Sequence, residues 1–522
     1  MHKSYNLIPI YLFILFFCSI HVFAVELSNE RQNTIILPID KLPSSWVPYE
    51  SHTYQDKQLI PLVYQSLFNL NRNRELTGNI AESWSVNSTF STYTVSIKPG
   101  LFFSNGKPVT AESIVSSFYE GLTNSPASPK KWIFENCSGY QDFYSKKTNI
   151  ISGLIISNES TLVFQLTKPI PRFLEYLSLP ELSIFSRSSD NIISGTGPWI
   201  VQKYSSAKAF ALTTNPYFNS SDSVTRSIIF ETSPPDENRI LDFETGHFDS
   251  TIIPESEFVR LIFEPQWARQ TIENKSAYTL FLAFNLNRPI ANSVHFRQAL
   301  STSISKTDLV TMLLNGHGTP LTYFPINYPF ANDFNITSSK DSSITTNGNW
   351  NNKQITLLVP DTNSLYINIA HHIIASAKRH GITLILKTTS YNNFHKQIRT
   401  GNYDIALVSG PISHTLPEIT LYEYFIEPNR GYSGNITGFY NLEFTSLLKD
   451  YIQQNDALKQ ANQMSKILSI LKKQLPIIPL IDVNEFWIHQ SDIRYVPPDD
   501  KTPFSVQYFN KSYKNHDESK KP

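Results

Sequence analysis

Alternating apolar and polar positions predict a strand near the start of the chain and a helix soon after it. Tyr93, Val95 and Ile97 share one face of that strand, and the polar residues between them lie on the other face. A turn containing Asn and Gly follows at 104–107. Because a threonine side chain can accept a hydrogen bond from the first turn of a helix, we expect Thr110 to N-cap the helix that begins there.

Similar patterns alternate through the first half of the chain. Residues 154–156 and 161–166 have the composition of a β-hairpin, and a strand that opens at Trp199 is expected to pair with residues 210–213. Residues 239–245 have helical periodicity and precede a turn. This half is therefore expected to mix short strands with helices.

From Tyr278 onward the apolar runs become longer. Residues 280–285 are typical of a buried strand, and the apolar spacing over 295–314 predicts a single helix. Strands and helices then alternate in a β-α-β-α-β pattern, which predicts parallel pairing with right-handed crossovers. Its segments are residues 355–359, 367–380, 382–386 and 405–408. The pattern as a whole predicts an α/β fold.

The first residues of the chain predict export. An apolar run at 7–17 follows a weakly basic start, and a cleavage site after Ala24 fits a secretory signal peptide. This run is shorter than the roughly 20 residues that span a bilayer. Cys18 raises the alternative of a lipid anchor, but Phe17 stands where lipid-attachment sites carry a small residue. We therefore expect a cleaved leader.

Charge and cysteine content narrow the class of protein. Lys plus Arg total 44 and Asp plus Glu total 44, so no overall field favours nucleic acid or an acidic membrane. Cys18 and Cys137 are the 2 cysteines of the sequence, and removal of the leader leaves one. The mature chain can therefore form no internal disulfide, which for an exported protein of this size favours a bacterial periplasm.

Several short motifs, in their order along the chain, resemble the extracytoplasmic solute-binding proteins of the peptide/nickel-binding family, which feed ABC transporters. The resemblance covers essentially the whole mature chain. The segments that carry it are 67–122, with A-E-S-W and S-N-G-K-P-V-T-A-E; G-T-G-P-W at 195–199; N-P-Y-F at 215–218; L-D-F-E-T-G-H-F-D at 241–249; F-N at 284–285; F-R-Q-A-L at 296–300; and G-N-Y-D-I-A at 401–406.

The resemblance implies a type II periplasmic-binding-protein fold: two α/β lobes, an inserted extra domain, and a hinged cleft between the lobes that closes over ligand. The implied division is a signal peptide at 1–24, the first lobe at 25–66, the inserted domain at 67–187, the first lobe again at 188–277, the second lobe at 278–480, and a return to the first lobe with a frayed tail at 481–522.

The loop that holds the peptide amine in this family departs from its usual pattern here. The family segment continues x-G-W-x-x-D-Y-x-x-P, and its acidic residue pairs with the free amine. Gly410 stands at the tryptophan, Ser413 at the aspartate, and Pro411 at a position that commonly donates a backbone N–H, which proline lacks. A buried ammonium without a counter-charge is costly. Either another acid supplies the charge, or the ligand has no free α-amine there.

Other positions match ligand-contacting residues of the family. Tyr391 falls at an aromatic of the pocket, with plain core packing as the alternative. Asn435 and Thr437 match residues that bond peptide backbone, with an exposed loop as the alternative. Arg399 lies near the cleft rim and is suited to a carboxylate, or it is a solvated helix end. The candidate ligand-binding residues are Tyr391, Arg399, Ser409, Gly410, Ser413, His414, Asn435 and Thr437.

Motifs for metal binding or catalysis are not found in the sequence. His371, His372 and His380 are expected to be surface residues, because adjacent histidines on a helix point in different directions. His414 lies in the altered loop, where a hydrogen bond to a peptide or a contact with a metal chelate are both open. Neither a nucleophile elbow nor an H-E-x-x-H motif is present. We expect no cofactor, no metal and no catalysis.

The resemblance implies an extracytoplasmic receptor that captures oligopeptides and delivers them to the permease subunits of an ABC importer. We expect a periplasmic monomer. Alternatives are the same fold specialised for a muropeptide, a modified peptide or a metal chelate, and a secreted structural or adhesive protein that has lost transport.

Overall fold

The structure, a computed structural model, describes most of the chain after residue 30. The described residues are 31–43, 45–50, 54–71, 73, 75–125, 130–190, 193–202, 207–218, 224–233, 237–321, 350, 353–361, 364–410, 416–426, 434–497 and 505–511. The predicted signal peptide, including Cys18, lies outside these ranges. Within them, no helix combines the length and the apolar character needed to cross a membrane.

Strands and helices alternate through the described residues. The strands are β1 (Thr34–Ile39), β2 (Phe68–Leu70), β3 (Leu76–Gly78), β4 (Ala81–Val86), β5 (Thr92–Ile97), β6 (Leu154–Asn158), β7 (Thr161–Gln165), β8 (Phe185–Arg187), β9 (Ile193–Gly195), β10 (Trp199–Gln202), β11 (Ala209–Thr214), β12 (Ser227–Thr232), β13 (Ser250–Ile252), β14 (Thr271–Phe284), β15 (Gly318–Pro320), β16 (Ile355–Pro360), β17 (Leu384–Thr389), β18 (Ile405–Gly410), β19 (Ile477–His489), β20 (Ile493–Tyr495) and β21 (Phe509–Lys511). The helices are α1 (Tyr54–Val63), α2 (Ala111–Asn124), α3 (Tyr140–Tyr144), α4 (Phe173–Tyr176), α5 (Glu237–Glu244), α6 (Glu255–Phe263), α7 (Val294–Ser303), α8 (Lys306–Leu313), α9 (Ser364–Arg379), α10 (Tyr391–Thr400), α11 (Pro417–Phe425), α12 (Leu442–Gln453) and α13 (Ala457–Gln474).

Among the described strands, three larger sheets organise the molecule. One has the order β1-β12-β11-β10, in which β1 and β12 are parallel. A second, β4-β5-β7-β6, is antiparallel and lies wholly within the segment 67–187. The third and largest has the order β13-β19-β14-β18-β16-β17, with β15 added on β19. Together with the helices, these sheets form the mixed α/β architecture that the sequence predicted.

The opening prediction of strand, turn and helix is confirmed. Tyr93, Val95 and Ile97 are buried on one face of β5, as their spacing required. Thr110 caps α2 by accepting a hydrogen bond from the Ser113 backbone N–H at 3.2 Å, and the Ser113 hydroxyl oxygen accepts one from the Thr110 N–H at 2.8 Å. The reciprocal pair satisfies two donors that a helix start leaves open.

The predicted β-α-β-α-β pattern is also confirmed. β16 pairs in parallel with β17 and β18, and α9 and α10 form the crossovers between them. The predicted single helix over 295–314 is wrong, because the chain forms α7 and α8 instead. Ile304 between them is extended, and the Ser305 side chain accepts a hydrogen bond from the Asp308 N–H at 3.3 Å. A serine cap starts a new helix where the apolar spacing alone showed no break.

Two long strands, β14 and β19, connect two hydrophobic cores. Near its start β19 contributes Ile478 and Leu480 to the core around β16 and β18, and near its end it contributes Phe486 and Ile488 to a separate core with α5 and α6. β14 pairs with β19 along most of this length, with shifts of register on the way. The predicted domain boundaries at 277/278 and 480/481 fall inside this ladder. Paired strands that cross from one core to another are suited to act as a hinge.

Several motif residues join distant segments. The Asn285 side chain donates to the carbonyls of Gly401 at 2.8 Å and Tyr403 at 3.0 Å. The Asp404 carboxylate accepts from the backbone N–H of Thr356 at 3.0 Å. These contacts connect the end of β14, the start of β18 and the start of β16, so the F-N and G-x-Y-D motifs serve the fold of this region.

Candidate functional site

The candidate site lies where the carboxyl ends of strands from two sheets approach each other. Lys41, just after β1, places its Nζ 4.4 Å from the ring centroid of Tyr391, at the start of α10. Ligands of open α/β sheets bind at the carboxyl ends of strands, where loops leave the sheet. This contact therefore marks a point where one sheet meets the other beside a candidate ligand cleft.

One face of α10 supplies three candidate side chains to this region. Tyr391, His395 and Arg399 are spaced four residues apart, and the rings of Tyr391 and His395 meet edge to face at 4.3 Å between centroids. Burial lowers the pKa of His395 to about 3, and the positive charges of Lys41 and Arg399 act in the same direction. His395 is therefore neutral at physiological pH, and it serves as a hydrogen-bonding or packing group.

Tyr366, in α9, interacts with Tyr391 of this cluster, and it was not among the predicted site residues. Burial raises the pKa of Tyr366 above its ordinary value; a hydrogen bond with Ser409 lowers it, and the nearby acids Glu255 and Asp40 raise it. Its phenol therefore stays protonated. Its position after β16 in a β-α-β unit is the signal that could have found it. Tyr366 is thus next to groups from both predicted lobes.

Gly410 ends β18 in a position that cannot hold a side chain. Its backbone pairs with Thr279 of β14, and a Cβ added there would overlap the hydroxyl oxygen of Tyr424. The Tyr424 ring is buried edge to face on Phe281, with 5.5 Å between ring centroids. The space that a side chain would need at position 410 is therefore filled by a tyrosine from α11.

Asn435 and Thr437 are engaged in bonds within their own loop. The Asn435 side chain donates to the carbonyl of Phe439 at 2.7 Å and accepts from the Thr437 hydroxyl at 3.1 Å. The Thr437 hydroxyl oxygen also accepts from the Phe439 N–H at 3.1 Å. Thr437 is 1% exposed, so the exposed-loop alternative is wrong for it. These contacts give both side chains a role in shaping the loop, and their predicted contact with ligand stays a prediction.

Of the predicted site residues, the structure gathers Tyr391, Arg399 and Ser409 around Tyr366 and His395. Gly410 directly follows Ser409. Ser413 and His414 lie outside the described residues, as does Pro411. The acids Asp40 and Glu255 act on Tyr366, and the cations Lys41 and Arg399 act on His395, so charges of both signs lie near these hydrogen-bonding groups.

Within the described part of the chain, no group of three or more His, Cys, Asp and Glu side chains is placed to hold a metal ion. His371 and His380 are exposed, as predicted, and His380 Nδ1 lies 2.9 Å from the carbonyl oxygen of Ser376. His372 is half-buried, so the surface prediction is wrong for that residue. It belongs to α9, whose other face packs on the sheet.

Comparison with known proteins places this geometry in a family. The family model for bacterial extracellular solute-binding proteins, family 5 Middle, matches residues 75–432. The chain is 21% identical over 518 residues to the oligopeptide-binding protein OppA of Bacillus subtilis (strain 168), which covers 92% of this chain and 93% of that protein. It is 24% identical over 315 residues to the nickel-binding periplasmic protein of Escherichia coli (strain K12), covering 56% of this chain and 57% of that protein.

Solved structures share the fold. The structure of the Escherichia coli murein tripeptide binding protein MppA matches with a TM-score of 0.77 and 19% identity, over 92% of this chain and 98% of that one. The unliganded open form of MppA matches with a lower TM-score of 0.64, over 92% and 97%. The fold is therefore that of a two-lobed type II periplasmic binding protein.

The family model covers more than half of the chain, the motifs occur in the family order, and the fold agrees. The chain therefore belongs to family 5 of the bacterial extracellular solute-binding proteins.

Proposed function

We propose that this protein captures oligopeptides or peptide-like solutes outside the cytoplasmic membrane and delivers them to an ABC importer. The observation that carries the proposal is the contact between the two predicted lobes at the candidate site, where Lys41 Nζ lies 4.4 Å from the ring centroid of Tyr391. Relatives named for oligopeptides and murein peptides support the same class of ligand. Affinity would come from burial of the ligand as the lobes close around it.

The charges of the cleft favour a ligand with both an amine and a carboxylate. Asp40 and Glu255 are close enough to Tyr366 to raise its pKa, and Lys41 and Arg399 are close enough to His395 to lower its pKa. The acids offer a counter-charge for an amine in place of the aspartate that Ser413 replaces. The cations are suited to a carboxylate, and the protonated Tyr366 hydroxyl can donate to a peptide carbonyl.

A second candidate is a ligand without a free amine, such as a modified peptide or a chelate. The sequence of the ligand loop favours it, since Ser413 and Pro411 replace an acid and a backbone donor. The two candidates differ in what Ser413→Asp does. If a free amine lies beside position 413, the variant binds a free-amine peptide more tightly and its N-acetylated counterpart no better. If no amine is there, the two affinities stay unchanged or fall together.

We also propose the cellular setting. The leader ending at Ala24 would direct the chain to the periplasm, where it acts as a monomer and meets permease subunits of an importer. The cleft would bind its ligand and release it unchanged, without catalysis. Domain boundaries are those implied by the resemblance, with the inserted domain at 67–187 and the second lobe at 278–480.

The test is calorimetric titration of the mature chain with tri- to pentapeptides, free or blocked at each end. We expect Arg399→Ala to weaken binding of peptides with a free carboxylate by about tenfold, as for the loss of a charge-assisted hydrogen bond. Peptides amidated at that end should lose little. Arg260→Gln is the matched control, because it removes an exposed arginine that pairs with Glu244 and Glu257. A chain that binds no peptide, or returns cleaved peptide, would contradict the proposal.

A further inference from the structure

Helix α11 is buried along its whole length, although it carries two acidic residues. All nine residues from Pro417 to Phe425 are buried, including Glu418 and Glu423. A helix on the surface of a protein exposes a polar face to water, and this helix exposes none. It must therefore be packed between two parts of the molecule.

One side of α11 packs on the second lobe. The Tyr424 ring meets Phe281 of β14, and the Phe425 ring meets Phe439 and Phe444 edge to face, each at 5.6 Å between centroids. These partners belong to segments on either side of α11 in sequence and to the central strand of the large sheet. The helix therefore belongs to the second lobe through apolar contacts.

α11 also packs on the inserted domain, and these contacts include charges. Glu418, which is 0% exposed, lies 2.9 Å from Arg172 Nη1 and accepts a hydrogen bond from the Tyr176 hydroxyl at 2.9 Å. Arg172 also donates to Glu175 at 2.6 Å. Glu418 is thus held by a cation and a phenol that both come from the segment 67–187.

A second buried ion pair also joins α11 to the inserted domain. Glu423 contacts Lys130, which is 1% exposed and also lies 3.4 Å from Glu181. Beside it, the ring of Trp132 stacks on that of Tyr422 with 4.3 Å between centroids. Lys130, Trp132 and Glu181 all belong to the inserted domain.

Buried ion pairs make such a contact selective for one arrangement. Their attraction is largely offset by the cost of removing both charges from water, so the intact pairs add little net stability. Removing one partner is different, since it leaves the other charge buried and uncompensated. Contacts of this kind permit opening, in which water solvates the separated charges, but they allow closure only when each carboxylate meets its cation.

We infer that Glu418 and Glu423 are positioning residues that latch the second lobe onto the inserted domain in the closed form. This inference rests on the proposed function in one respect, which is that ligand binding accompanies closure. The lower similarity to the unliganded open form of MppA, with a TM-score of 0.64 against 0.77, agrees with a chain in the closed arrangement. The inserted domain then takes part in closure through α11.

The experiment measures directly the distance between the inserted domain and the second lobe. Spin labels are attached to Ile150→Cys in the inserted domain and Leu458→Cys in the second lobe, where the native side chains are 61% and 73% exposed. The native Cys137 is buried and stays unlabelled. Distances between labels are recorded by double electron–electron resonance, as purified and after ligand is stripped by unfolding and refolding, with and without a mixture of tri- to pentapeptides.

We expect Lys130→Met to lower the ratio of closed to open chains by about 100-fold, because it leaves Glu423 and Glu181 buried without the cation that they share. Glu418→Gln should lower this ratio by a smaller factor, because Arg172 keeps its bond with Glu175. Glu423→Gln should have a smaller effect, since Lys130 keeps Glu181. Combined with Lys130→Met, Glu423→Gln should restore part of the closed population, which a merely structural role would not produce. Peptide affinity should fall in proportion to the closed fraction.

Glu120→Gln is the matched control, because Glu120 pairs with Arg187 inside the inserted domain and touches no part of α11 through that bond. If Lys130→Met alone fails to fold, Glu418→Gln and the double variant Lys130→Met with Glu423→Gln still test the inference.

Unchanged distances in the folded latch variants would overturn the inference, as would a parent chain that shows only the open distance in every condition. If the latch variants bind peptide normally and their label distances are unchanged, the latch is refuted and the proposed function is not. Loss of the closed form in a chain that binds no peptide would support the latch and contradict the peptide proposal.

Discussion

The close packing of Gly410 against Tyr424 leads to a quantitative prediction. A Cβ at position 410 would overlap the Tyr424 hydroxyl oxygen, while the next nearest atom, Cζ of the same ring, would be 3.4 Å away. The whole obstruction is therefore a single oxygen atom. Gly410→Ala should destabilise the protein by about 1–3 kcal/mol, the usual cost of overpacking a buried site. Removal of that oxygen by Tyr424→Phe should leave ordinary van der Waals contact.

We therefore expect the cost of Gly410→Ala to fall below about 1 kcal/mol in a Tyr424→Phe background, a coupling of the size that residues in direct contact show. The assay is urea unfolding of the mature chain, parent and three variants, followed by circular dichroism. Tyr424→Phe alone is the control for the lost hydroxyl, which is worth about 1 kcal/mol if it donates a hydrogen bond. Equal costs of Gly410→Ala in both backgrounds would refute the packing described here.

Three further predictions concern stability, pH and binding. Asp249→Ala should lower the free energy of unfolding, measured by urea unfolding, by about 3 kcal/mol. The buried Asp249 carboxylate accepts from Arg31 at 2.6 Å and from Lys511 at 3.0 Å. Its loss leaves the buried Lys511 with the more distant Asp492. The folded pKa of His395, about 3, lies below its unfolded value. Stability should therefore fall as pH drops from about 6.5 towards 3, and less so in His395→Gln. Tyr366→Phe should weaken peptide binding about fivefold in calorimetry, as for a lost neutral hydrogen bond.

Each of these has an outcome that would contradict it. If the Asp249→Ala chain were as stable as the parent, the ion pairs of Asp249 with Arg31 and Lys511 would not stabilise the fold. A His395→Gln chain with the parent's full acid sensitivity would place the titration elsewhere. Full affinity in Tyr366→Phe would remove its hydroxyl from ligand binding, and the exposed Tyr440→Phe serves as the matched control.

The sequence predicted the class of fold because the relevant signals are local. The alternation in β5 and the Thr110 cap are set by neighbours within a few residues, and both appear as expected. Some residues of the family motifs have a structural role. Asn285 and Asp404 hold strand ends together, so these motifs indicate the fold and give little information about the ligand.

The remaining features depend on contacts between residues far apart in sequence. Tyr424 fills the place beside Gly410, and no local pattern predicts this contact. Tyr366 has a general signal in its position after β16, but the groups that act on it come from distant segments. Glu418 and Glu423 look like solvated charges on a short helix until Arg172 and Lys130 are placed against them. Such pairings arise only when the chain folds, so periodicity and spacing could not identify them.

Peptide capture can be checked by native mass spectrometry of the gently purified protein. We expect a chain that carries one peptide or peptide-like solute, which is released intact on unfolding and is replaced by an added oligopeptide. A chain that carries a solute of another class, and exchanges it for no peptide, would contradict peptide capture.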